Sequence, residues 1–124
     1  MTAESEELSN LVALVHEYYA GMVRGDPQLL RQVFDPPARF QGVRDGTQVR
    51  RDLEEFVKMT QSPPADSSQA GDGFLRVEMA DLTGDVAVVK VRDRFRGRMY
   101  VDYLTMMKTA TGWRIVNKAF TTVD

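Results

Sequence analysis

Residues 74–122 read FLRVEMADLTGDVAVVKVRDRFRGRMYVDYLTMMKTATGWRIVNKAFTT. Four β-rich segments, 74–82, 86–95, 98–108 and 113–122, are separated by Thr83-Gly84-Asp85, Arg96-Gly97 and Thr109–Gly112. Connections this short force antiparallel neighbours, because a parallel return needs a long crossover. Alternation then sorts each strand into two faces. One face carries Leu75, Val77, Met79, Ala87, Val89, Val91, Asp93 and Phe95, and continues with Tyr100, Asp102, Leu104, Met106, Val116, Lys118 and Phe120. It is the more apolar face of the first two strands and is expected to look inward. The opposite face carries Lys90, Arg92 and Arg94, but then Met99, Val101, Tyr103, Met107, Trp113 and Ile115. A solvated face should not be that apolar. The simplest cover is a second copy, so a homodimer through the outer face of the C-terminal strands is expected. A single bulge would exchange the faces of any one strand.

The chain ahead of this sheet supplies helices. Residues 5–24 place Leu8, Leu11, Val12, Val15, Tyr18, Tyr19 and Met22 on one helical stripe, with Ser5 as N-cap and Gly25 just past the end. Asp26 and Pro27 open a second helix whose inner face holds Leu29, Leu30, Val33 and Phe34, and Pro36-Pro37 stops it. Ala38–Val43 reads as a strand, Asp45-Gly46 as a turn and Thr47–Arg50 as a returning strand. Asp52 caps a third helix with Leu53, Phe56, Val57 and Met59, and residues 61–73 form a polar, proline-broken loop. Residues 1–124 thus read as one α+β domain in which helices and sheet enclose a pocket.

Composition narrows the chemistry. The 124 residues hold no cysteine, which excludes thiolate nucleophiles, iron–sulfur clusters and cysteine zinc sites. The single histidine, His16, cannot build a multi-histidine metal site and is expected on an exposed helix edge. Net charge is −2, so neither nucleic acid nor an anionic membrane is an expected partner. Lys90, Arg92, Arg94, Arg96 and Arg98 do cluster around one hairpin, but a hairpin tip is normally solvated. The opening MTAESEEL is acidic, unlike a signal peptide, and no apolar run nears the roughly 20 residues of a membrane span. A cytoplasmic location is expected. There is no GxGxxG, P-loop or EF-hand pattern, and no cofactor is expected.

The stretches YYAGMVRGDPQLLRQVFDPPARFQGV (18–43) and DYLTMMKTATGWRIVNKAF (102–120) resemble the NTF2-like superfamily, also called SnoaL-like or cystatin-like. The similarity covers about residues 8–122 and is nearest to the branch carrying the lumazine-binding label. It implies a cone: three N-terminal helices packed on a strongly curved antiparallel β-sheet around a cavity. It does not settle function, since this superfamily holds isomerases, dehydratases, cyclases, transport factors and dimerisation domains. By its spacing to the following Gly-Asp, Tyr18 matches the oxyanion-hole tyrosine of ketosteroid isomerase. The position of the isomerase's general base is Gly42, so that activity is not expected.

Three readings of function stand. The first is binding of a small, largely apolar or heterocyclic molecule in the cavity. Its candidate contacts are Tyr19, Phe34, Phe56, Asp93, Tyr100, Met106, Lys118 and Phe120. The second is an enzyme of isomerase, dehydratase or polyketide-cyclase type using Tyr18 and Asp102. Asp102 and Lys118 lie on adjacent strands, near enough to pair, as a strut or as the polar end of the cavity. Asn117 joins them if the final strand bulges. The third is a dimerisation or protein-binding module with a filled core. Met22, Met79, Met106 and Met107 would give a cavity an adaptable wall, and residues 61–73 could act as a lid.

Overall fold

The computed structural model of the chain describes residues 3–62 and 73–123. Helix α1, Ala3–Arg24, starts two residues ahead of the expected cap at Ser5. It buries Leu11, Leu14, Val15, Tyr18, Tyr19 and Met22, while His16 stays exposed. Gly25 follows with φ of 61°, the left-handed conformation that ends a helix. A Cβ there would also lie 2.6 Å from the Thr60 carbonyl oxygen, so this glycine lets two helix ends touch. Asp26 caps α2, Pro27–Val33, by accepting from the Leu29 amide at 3.1 Å.

Strand β1, Phe34–Arg44, begins four residues earlier than expected and runs through Pro36-Pro37. Prolines cannot donate to a ladder, and they sit where the pairing of β1 with the last strand shifts register, between Phe34 and Arg39. Phe34 therefore leaves the helix but stays fully buried. Asp45 and Gly46 both take positive φ, as a two-residue hairpin requires, and lead into β2, Thr47–Asp52. Asp52 then caps α3, Leu53–Gln61, in a reciprocal pairing with Glu55. Gln61, expected in the loop, is the last residue of α3 and Ser62 its C-cap; of the 61–73 segment read as a possible lid, 63–72 lie outside the described residues.

Strands β3 (Leu75–Thr83), β4 (Val86–Phe95), β5 (Arg98–Thr109) and β6 (Gly112–Val123) form the antiparallel meander read from the sequence. The six strands run in the order β2-β1-β6-β5-β4-β3. The sheet is antiparallel except where β1, second in this order, lies parallel to β6. It curves around the three helices, giving the α+β cone of the NTF2-like fold. No described helix is long and apolar enough to cross a membrane.

Two bulges correct the expected faces. In β3, Val77 opposes Val91 but Met79 opposes Lys90, so Met79 turns outward and is 40% exposed. In β6, Ile115 opposes Met106 while Asn117 opposes Thr105. Val116 is the extra residue. Ahead of it, Trp113 and Ile115 face inward and join the core rather than the outer face; Val116 is not a core residue. Beyond it, Lys118 points inward, as expected, and is buried, and Phe120 lies on the same side. Asn117 does not turn in with them; its side-chain oxygen accepts from Gln41.

The core between helices and sheet contains an aromatic cluster. Phe40 and Phe56 stack at 4.3 Å, and Phe34 meets Tyr18, Phe40 and Phe56 at centroid distances of 5.7, 4.8 and 5.7 Å. Gly42 sits on the inner side of β1 opposite Phe120. A Cβ there would fall 2.3 Å from the Phe120 carbonyl oxygen and 2.5 Å from its ring. The position that would hold an isomerase's base is filled by an aromatic side chain from β6.

Candidate functional site

At the open side of the aromatic cluster, α1, α3 and the ends of the strands leave a pocket. Helix α3 contributes Phe56 and Met59, and α1 contributes Met22. Strands β4, β5 and β6 contribute Asp93, Phe95, Tyr100, Lys118 and Phe120. The β1–β2 hairpin closes the ring with Arg44 and Arg51. The non-atom space is about 390 Å³ including solvent at the mouth, but the volume open to the centres of water-sized molecules is about 30 Å³. A ligand larger than a few waters must displace side chains, and Met22 and Met59 are the adaptable ones.

Lys118 forms one end of this pocket. No ion pair joins it to a carboxylate among the described residues, so the expected Asp102–Lys118 pair is absent. Its ammonium sits instead in a box of rings, 4.8 Å from the centroid of Phe56, 5.0 Å from Tyr18 and 5.2 Å from Phe120. The Met22 sulfur lies 3.8 Å away. The negative faces of three rings replace a counter-ion here.

Asp102 has another partner. The Tyr18 hydroxyl donates to Asp102 Oδ2 at 2.8 Å. Burial, then the nearby carboxyl groups of Asp102 and Asp93, hold the Tyr18 phenol well above its usual range, so it remains a donor. Asp93 is the diagonal neighbour of Asp102 across the β4–β5 ladder, on the same face. If both were ionised, neither could donate. Asp93 Oδ1 and Oδ2 and Asp102 Oδ1 have no hydrogen-bond partner among the described residues. A proton on Asp93 resolves the conflict. Burial first, then the Asp102 charge, push its pKa up to about 10, and the neutral carboxyl group can donate to Asp102. One shared proton still leaves an oxygen of Asp93 unmatched, 1% exposed, in the pocket wall.

The candidate residues thus divide. Phe56, Asp93, Tyr100, Lys118 and Phe120 are brought together around the pocket. Tyr18 and Asp102 are hydrogen-bonded to each other behind that wall and do not line it. Phe34 and Met106 are fully buried in the core, and the Tyr19 hydroxyl donates to the Arg94 carbonyl oxygen at 2.6 Å. Arg44, Arg51 and Met59 line the pocket without having been singled out as contacts. Arg44 was readable: it continues the alternation of Phe40 and Gly42 along β1. Among the described residues, no group of His, Cys, Asp and Glu could hold a metal ion.

The profile of the family described as "Putative lumazine-binding" matches residues 6–121. The chain belongs to this family. Solved structures agree on the NTF2-like fold. A protein of unknown function from Silicibacter pomeroyi DSS-3 is 28% identical, with a TM-score of 0.85, covering 99% of this chain and 100% of that one. A cystatin-like-fold protein from Novosphingobium aromaticivorans is 18% identical, with a TM-score of 0.69 over 96% and 83% of the two chains. A ketosteroid isomerase-like protein from Erwinia carotovora atroseptica is 15% identical, with a TM-score of 0.69 over 96% and 98%. At such identities the last two show the fold alone. A search of the curated proteins matches nothing. Within this NTF2-like domain the functional reading therefore rests on the pocket.

Proposed function

We propose that this NTF2-like domain binds a small, largely apolar or heterocyclic molecule in the pocket between α3 and strands β4–β6. The observation that carries the reading is Asp93. Its carboxyl group is 1% exposed, lines the pocket and lacks a protein donor for either oxygen. Buried polar groups are nearly always matched, and the exceptions concentrate where a ligand completes the set. Native mass spectrometry of gently purified protein is expected to show a bound compound. Thermal-shift screening against flavins, pterins and steroids is expected to raise the melting temperature with at least one class. An empty protein that no class stabilises would remove the reading.

Catalysis in the same pocket is a second reading, favoured by the displaced pKa of Asp93. A carboxylic acid kept neutral beside an ammonium can polarise or protonate a carbonyl oxygen. Tyr18 and Asp102 would then act through Asp93 rather than touch the substrate. We also propose that the outer face of β4 and β5 pairs with a second copy of the chain, supported by the exposure of Val86, Tyr103 and Met107 on that face.

A further inference from the structure

The charges around the pocket are unbalanced. Lys118 stands at one end and Arg44 and Arg51 at the mouth, and the acid in the wall, Asp93, is held neutral at pH 7. Other arginines nearby are committed. Arg98 is ion-paired with Asp45 at 2.9 Å, and Arg96 donates to the Met59 and Ser62 carbonyl oxygens at the end of α3. Arg44 and Arg51 form no ion pair among the described residues; Arg44 is hydrogen-bonded to the Tyr100 hydroxyl at the mouth, and Glu55 attracts Arg51. Burial, followed by the Arg44 charge, lowers the pKa of Arg51, so the two guanidinium groups share one opening at some mutual cost. The hairpin register explains the convergence. Arg51 lies opposite Phe40 and Arg44 opposite Thr47, all on the inner side, with the side-chain-free Gly42 between them.

Between the cationic ends the pocket is aromatic and sulfur-lined. Tyr100 and Phe120 meet edge to face at 6.0 Å, with Phe56 on the helix side. Such walls accept a flat ring, and a planar guanidinium fork matches a carboxylate through two parallel hydrogen bonds. The space is far too small for a polymer, and the chain's net charge of −2 gives no field that would draw a polyanion.

We propose that the ligand is a small planar organic anion whose ring enters between Phe56, Tyr100 and Phe120 while its carboxylate is gripped by Arg44 and Arg51. This rests on the binding reading above and adds the charge and orientation of the ligand. The inner edge of the ring faces Lys118 and Asp93: the ammonium can donate to a carbonyl or ring-nitrogen acceptor, and the Asp93 oxygen left unmatched can accept from a ring N–H.

Matched pairs that differ only in charge test it: benzoate with benzamide, and cinnamate with cinnamamide, titrated by two-dimensional NMR and followed at the Gly42 and Lys118 amides. Charge-assisted bonds to two guanidinium groups predict that each acid binds roughly 10- to 100-fold tighter than its amide. The Arg44→Gln and Arg51→Gln variants should each cut acid affinity, and the double variant should bring it to the amide level with amide affinity unchanged. The variants' unperturbed spectra report an intact fold. Equal binding of acid and amide, or a double variant that keeps the preference, overturns the anion proposal and leaves the pocket reading in place. If neither member of either pair moves the spectrum, the anion proposal falls, and the pocket reading is decided by the flavin, pterin and steroid screen.

Discussion

A carboxyl group buried without a donor costs stability, and Asp93 makes that cost depend on pH. Its pKa is raised from 3.8 to about 10 in the fold, so the native state holds a proton that the unfolded chain releases. The sign follows from linkage: where the native state binds more protons, stability falls as pH rises. The contribution is fully present below about pH 4 and is lost progressively as pH climbs to about 10. An amide of the same shape donates to Asp102 at any pH. Asp93→Asn is therefore expected to raise stability at pH 8 by about 1–3 kcal/mol and to lose that advantage near pH 4. Urea unfolding across this range measures both. A variant destabilised equally at every pH would show that the carboxyl group is an ordinary structural acceptor. Ligand affinity should be kept in the same variant, because the amide oxygen stands where the unmatched carboxyl oxygen stood.

At the scale of elements, alternation and turn chemistry made the fold legible, and bulges limited the reading of the site. The meander, its turns and the caps at Asp26 and Asp52 lie where local rules put them, because each depends on a few neighbouring residues. The bulges at Glu78 and Val116 depend instead on how two strands fit a curved sheet, and neither residue type announces them. Up to Val116 the reading put Ile115 outside, and one inserted residue moved it into the core. Beyond the bulge the reading held for Lys118 and Phe120. Arg51 escaped notice because the returning strand was expected to end at Arg50, whereas β2 runs on through Asp52 and so carries Arg51 on its inner side. The cap on α3 links local sequence to the pocket, since that helix delivers Phe56 and Met59. Asp52→Ala removes the acceptor for the Glu55 amide, now 2.8 Å away, and is expected to cost about 1 kcal/mol. The urea midpoint should drop with an unchanged slope. An unmoved midpoint would mean that packing alone holds the helix.

Across the whole molecule, the sheet's two faces have different tasks. The inner face carries the core and the pocket, and among the described residues its buried ionisable side chains, Asp93, Asp102 and Lys118, gather at the pocket end. The outer face is mixed. Glu78 gathers Arg76 at 2.6 Å, Arg92 at 3.1 Å and Lys90 at 3.9 Å near the β3 edge. The most exposed large apolar residues of the described chain fall on this same face: Met79, Val86, Tyr103 and Met107 on β3 to β5 beside that cluster, and Val43 apart from them on β1. Losing Trp113 and Ile115 to the core shrank the patch without dispersing it: Val86 is 50% exposed and pairs across β4–β5 with Met107 at 41%. The proposed isologous dimer would bury this patch, with residues near the axis meeting their own copies. A stable pair needs on the order of 1,200–2,000 Å² of total buried surface, which requires most of β4 and β5. Light scattering at micromolar concentration is expected to give twice the 14.0 kDa of one chain. A Tyr103→Lys, Met107→Lys variant should elute as a monomer with an unchanged circular dichroism spectrum. Because neither residue lines the pocket, that monomer should bind ligand as the dimer does. A wild-type protein that is already monomeric would leave the outer face merely apolar. A monomeric variant that no longer binds would instead show that pairing braces the sheet on which Asp93 and Lys118 stand.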